Sequence, residues 1–144
     1  MSRKDISQTL QTLADDLEFL PDWEERIRHV MDLGRKLPAL APHDMVEANK
    51  VRGCASQVWL VAQANPEDPS LLRFAADSDA PLVRGLIALV LLVYSDRTPA
   101  EILAADPNLV MARLGLDQAL TRQRANGLAS MVARIRAEAA AKQA

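Results

Sequence analysis

Cys54 is the only cysteine among 144 residues, and its neighbours are the ones best suited to chemistry. It lies in the run Val51-Arg52-Gly53-Cys54-Ala55-Ser56-Gln57-Val58-Trp59. Lys50 and Arg52 place positive charge close by in sequence, which favours thiolate over thiol and so nucleophilic attack. Gly53 permits a positive φ, and with it a sharp bend able to present the next side chain. The competing reading is a buried, inert cysteine that packs as a small hydrophobe. The residues alone leave both readings open.

Other chemistries are poorly supplied. Two histidines, His29 and His43, and one cysteine fall short of the usual four Cys/His ligands of a zinc site, so no metal is expected. Neither a phosphate-cradling G-x-x-x-x-G-K-[ST] run nor a G-x-S-x-G nucleophile elbow occurs, and no cofactor is expected. Both histidines read as surface residues. Asp77 and Asp79 read more simply as helix-capping carboxylates than as an acid/base pair.

Charge and hydropathy narrow the partners. Seventeen basic and 19 acidic residues give a net charge of −2, mixed along the chain, without the basic stripe of a nucleic-acid binder. The most apolar stretch, residues 86–94, is nine residues long, well short of the ~20 of a membrane span. Residues 1–20 carry Asp5, Asp15, Asp16 and Glu18 and do not read as a secretory signal. A lone cysteine cannot close an intramolecular disulfide, which suits a reducing compartment. A cytoplasmic protein is expected, with no nucleic acid and no membrane.

The elements that must position Cys54 follow from periodicity. Hydrophobic residues make up 49% of the chain but aromatics only 3%, so the core is aliphatic and favours helices. Ile6, Leu10, Leu13, Leu17 and Leu20 form one helical stripe, ended by Pro21. Asp22 caps a second helix whose buried side is Ile27, Val30 and Met31 and whose end is marked by Gly34 and Pro38. Residues 39–53 read as a connecting loop. Val58-Trp59-Leu60-Val61 and residues 71–76 read as the strands of a hairpin around the Asn65–Ser70 turn. Residues 77–81 read as the start of a central helix, about 82–94, apolar nearly all round. Thr98–Glu101 has the form of a capping box, and Asp106-Pro107 starts a short helix. Leu128, Met131, Val132 and Ile135 form the inner stripe of a C-terminal helix that dissolves near Ala144. The expected class is α+β, a small antiparallel β-sheet packed against helices, in a single domain spanning residues 1–144.

Arg52-Gly53-Cys54-Ala55-Ser56-Gln57-Val58-Trp59 resembles the R/Q-G-C-x-S-Q-V-W signature of the SufE/CsdE cysteine-desulfuration family. Trp23-Glu24-Glu25-Arg26 with Leu33-Gly34-Arg35-Lys36-Leu37-Pro38 is similar to that family's W-E-x-R/K and L-G-x-x-L-P segment. Asp77-Ser78-Asp79-Ala80 with Val83-Arg84-Gly85-Leu86-Ile87-Ala88 is similar to its D-S-D-A and V-K/R-G-L-I-A block, and Arg124-Ala125-Asn126-Gly127-Leu128 to its S-R-x-x-G-L motif. Four motifs in order span most of the chain. Ala55, where a polar residue is usual, and Ala76, where Gly is common, depart from the pattern without removing a reactive group.

The resemblance implies a SufE/IscU-like fold and a sulfur-acceptor role. A PLP-dependent cysteine desulfurase, SufS-like or CsdA-like, would form a persulfide, and Cys54 would take its outer sulfur and stimulate the desulfurase. A SufBCD-type iron–sulfur scaffold would be the recipient. Arg52, Gly53, Ser56 and Gln57 would shape the loop around the thiol; Asp79 would support that loop, and Arg124 would meet the desulfurase. An iron–sulfur scaffold of the same fold is the alternative, weakened because clusters are usually held by several thiolates. A non-catalytic interaction module is the third reading. Monomer and homodimer both remain open.

Overall fold

The computed structural model describes residues 5–53, 56–116 and 120–143. Its first helix, α1 (Ile6–Phe19), starts at a capping box: the Asp5 carboxylate accepts from the Gln8 amide while the Gln8 side chain accepts from that of Asp5. Ile6, Leu10, Ala14 and Leu17 are its buried face. Leu13 packs at the edge of the core, and Leu20 lies just past the helix.

Asp22 caps α2 (Trp23–Lys36) as expected, its carboxylate accepting from the Glu25 amide at 2.9 Å. The buried face differs from the expected one. Val30 and Gly34 are buried, Met31 is half-buried, and Ile27 is 42% exposed. Nor does Gly34 end the helix. It sits inside the last turn because α2 crosses the later helix α3 (Pro81–Tyr94) there, with Gly85 opposite. A Cβ on Gly34 would lie 2.6 Å from the Gly85 nitrogen, closer than atoms pack. The glycines are needed for helix approach, not for a turn.

The hairpin is present and longer than the sequence suggested. Strands β1 (Val58–Ala64) and β2 (Leu72–Ser78) pair antiparallel from Val58↔Ser78 to Ala64↔Leu72. Asp77 and Ser78 therefore belong to the strand rather than to a helix cap. Helix α3 begins at Pro81 with Ala80 as its capping residue and no side-chain cap bond. The reason is long-range. The Asp77 carboxylate, on a residue only 5% exposed, pairs with the Arg84 guanidinium and accepts the Leu40 amide at 3.0 Å. Arg84 also donates to the Leu37 carbonyl at 2.6 Å, closing the open end of α2.

Helix α3 is the centre of the core, with Gly85–Leu91, Val93 and Tyr94 buried. Two short helices follow, α4 (Pro99–Ala104) from the Thr98–Glu101 capping box and α5 (Pro107–Arg113) capped by Asp106. The last helix, α6 (Arg122–Gln143), buries Leu128, Met131, Val132, Ile135 and also Ala139. It runs through the Ala-rich end instead of dissolving there, since alanine is the best helix former. The fold is α+β: among the described residues, six α-helices and a two-stranded antiparallel sheet. Buried residues from α1, α2, β1, β2, α3, α4, α5 and α6 join in one cluster.

Candidate functional site

Cys54 and Ala55 lie outside the described residues, so the site is built from what flanks them. The segment entering the loop makes two short 3-10 turns, Pro42–Asp44 and Glu47–Asn49. It then joins the sheet: Lys50 bridges Trp59, and the buried Val51 donates its amide to the Val58 carbonyl at 2.8 Å. Thus β1 is held on one side by β2 and on the other by residues 50–51. The loop between has a tied root.

Gly53 has φ +89°, a conformation that a side chain strains, and it makes the bend that the sequence suggested. Its Cα faces α6. A Cβ there would meet the Ser130 hydroxyl oxygen at 2.7 Å. On the far side, the Gln57 amide donates to the Asp79 carboxylate at 3.1 Å. Asp79 is exposed and caps no helix; its carboxylate fastens the exit of the loop to the β2–α3 junction.

Beside the loop lies a cavity of about 310 Å³. Val58, Val83, Leu86, Ile87, Leu128 and Met131 give it apolar walls, and Ser56, Thr121, Gln123 and Arg124 add polar groups. The structure therefore brings Ser56 and Arg124 to one cavity and Gln57 and Asp79 into one hydrogen bond. Arg52 goes elsewhere. Its guanidinium, on a side chain 78% exposed, pairs with Glu47 at 3.1 Å, and the same carboxylate lies 3.7 Å from the Lys50 ammonium. The two bases near Cys54 in sequence thus share one acidic partner, which offsets part of the positive potential attributed to them. Glu47 was missed by sequence reasoning. An acidic residue three before Lys50 and five before Arg52 is the only local signal for it.

The described residues on both sides of Cys54 are thus anchored, at Val51 and at Gln57, and Ser56 lines the cavity. Comparison with known proteins decides the family. The SufE model, described as an Fe–S metabolism associated domain, matches residues 11–139. The chain belongs to the SufE family. An uncharacterized SufE-like protein of Rhizobium etli is 49% identical over 138 residues, covering 94% of this chain and 93% of the relative. Another, from Rhizobium meliloti, is 47% identical over 133 residues, covering 91% and 94%. The solution structure of a hypothetical protein from Thermus thermophilus shares the fold, with a TM-score of 0.73 at 22% identity over 91% of this chain and 93% of that one. SufE membership supports a sulfur-transfer role in iron–sulfur metabolism. No helix among the described residues is long and apolar enough to cross a membrane.

Proposed function

We propose that this SufE-family protein accepts persulfide sulfur on Cys54 from a PLP-dependent cysteine desulfurase of the SufS or CsdA type. In doing so it stimulates that enzyme, and it passes the sulfur to an iron–sulfur scaffold of the SufBCD type. The observation that carries the reading is the family loop around the chain's only cysteine, tied at Val51 and Gln57 beside an apolar cavity.

The step is an exchange at sulfur. The Cys54 thiolate bonds to the outer sulfur of the donor persulfide, the donor's S–S bond breaks, and its electron pair leaves on the donor cysteine as a thiolate. No oxidant or reductant is consumed. Gly53, Ser56 and Gln57 shape the loop, Arg52 ties its entry to Glu47, and Asp79 holds its exit limb. Arg124, exposed on α6 and lining the cavity, is the group offered to the desulfurase. The apolar walls give a persulfide a place away from water and oxidants between encounters. We read residues 1–144 as one SufE-like domain working in the cytoplasm, where thiols stay reduced.

Intact-mass measurement tests this directly. After incubation with an active desulfurase and cysteine, the protein should gain one sulfur atom (~32 Da), lost on treatment with dithiothreitol and absent in Cys54→Ser. A wild-type chain that gains no sulfur while the desulfurase turns over refutes the reading.

A further inference from the structure

We infer that Arg134 is a positioning residue for the cysteine loop, acting from α6 on the loop's entry limb; the inference rests on Cys54 being the sulfur-bearing residue. Arg134 donates to the Ala48 carbonyl at 3.3 Å and to the Lys50 carbonyl at 3.4 Å. Its Nε pairs with Glu138 at 3.2 Å, one helical turn on, which orients the guanidinium. Both side chains are about two-thirds buried, at 29% and 33% exposure, so water competes less for these bonds than at an open surface.

One of the two carbonyls lies in the Glu47–Asn49 turn, which closes with the Lys50 amide on the Glu47 carbonyl. The Val51 amide goes to Val58 instead, leaving the Ala48 carbonyl without a partner along the turn, and the Lys50 carbonyl follows just past it. A guanidinium can serve both at once through its fork of donors, and bonds from a charged donor are stronger than neutral ones. One turn earlier on the same face of α6, Ser130 lies against the Gly53 bend. Ser130, Arg134 and Glu138, spaced by four, form one strip of α6 along the entry limb. The limb from Ala48 to Gly53 is thereby held to the helix that also walls the cavity through Leu128 and Met131. Asp79 fixes the exit limb; Arg134 fixes the entry limb.

The test uses the full chain, with Cys54 as its only thiol. Arg134→Met removes every donor and keeps most of the stem. Labelling of Cys54 by iodoacetamide, with no desulfurase present, should run about fivefold faster, the factor that a lost hydrogen bond of ordinary strength makes in a local opening. Arg134→Lys, which keeps a cation able to reach one carbonyl, should fall between. Amide exchange in peptides covering residues 48–53 should quicken in the same order, while peptides from β2 and α3 stay unchanged. That selectivity separates positioning from a general loss of stability. If the methionine variant does not fold, Arg134→Lys and Glu138→Gln carry the same comparison. Labelling unchanged by these substitutions, or exchange quickened across the whole chain, overturns the proposal. Labelling needs no partner, so the two readings fail separately. A wild-type chain that gains no sulfur while the labelling order holds sinks the carrier reading alone; normal sulfur gain with unmoved labelling sinks the role of Arg134 alone.

Discussion

Gly34→Ala puts the helix crossing beneath the site under a measurable load. The added Cβ would stand 2.6 Å from the Gly85 nitrogen, 2.9 Å from its Cα and 3.0 Å from the Arg84 carbonyl carbon. All three are backbone atoms, so no side-chain rotation relieves them. Reaching ordinary contact requires α2 and α3 to part by nearly 1 Å, and overpacking of this kind costs about 1–3 kcal/mol. Alanine returns about 1 kcal/mol of helix propensity relative to glycine. Parting the helices also strains the Arg84 bond to the Leu37 carbonyl, which argues for the upper half of the range. The net expectation is a loss of about 1–2 kcal/mol, a fall in Tm of roughly 3–8 °C for a chain of this size. Urea denaturation with a fitted m-value measures it, and m should not change. A Gly34→Ala protein as stable as wild type, or more stable by its propensity gain, would refute the close crossing.

Two further outcomes follow from the same geometry. Asp79→Ala removes the acceptor of the Gln57 amide, so thiol labelling at Cys54 should quicken about threefold or more while the urea midpoint stays nearly fixed, because the bond is exposed and single. Equal labelling rates would show that the carboxylate does not restrain the loop. Tyr94 is fully buried, its hydroxyl has no partner among the described residues, and burial raises its pKa, with Arg136 partly opposing. A folded-state pKa above the unfolded value of about 10 means that the unfolded chain loses this proton first, so stability is intact below pH 10 and falls above it. Because the hydroxyl is buried without a partner, Tyr94→Phe should be neutral or stabilise by up to about 1 kcal/mol at neutral pH, and its advantage over wild type should grow above pH 10; a difference independent of pH would count against the burial argument.

Where the sequence was legible, the determinants were local. The Ile6–Leu17 stripe, the Asp22 cap, the Thr98–Glu101 box and the strand character of Val58–Val61 each depend on neighbours a few residues away, and each is found. Where it misled, the partner was distant. Asp77 looks like a cap because Asp before a proline-led helix usually is one; its real partners, Leu40 and Arg84, come from another loop and from inside α3. Gly34 looks like a terminator because glycine near a proline usually is, and only the approach of Gly85 shows otherwise. Ile27 fitted the apolar stripe, yet α3 covers only the Val30–Gly34 face of α2. Arg134 carried no signal at all: a basic residue on a C-terminal helix says nothing about carbonyls more than 80 residues earlier.

The motifs that the family resemblance singled out acquire a physical reason for travelling together. Gly34 and Leu37, from one segment, meet Gly85 and Arg84, from another: the glycines at the helix crossing, the arginine on the Leu37 carbonyl. Arg84 in turn pairs with Asp77, whose strand neighbour across the hairpin is Trp59, from the segment around Cys54. Two residues beyond Asp77 stands Asp79, which holds Gln57. The fourth motif closes the circuit, since Arg124, Gly127 and Leu128 line the same cavity as Ser56 and Val58. A change at Gly34 reaches the loop by way of Arg84 and Asp77, whereas a change at Arg124 meets the cavity directly. Substitutions in the first group should alter stability and thiol exposure together. Those at Arg124 should alter what the loop meets and leave stability alone.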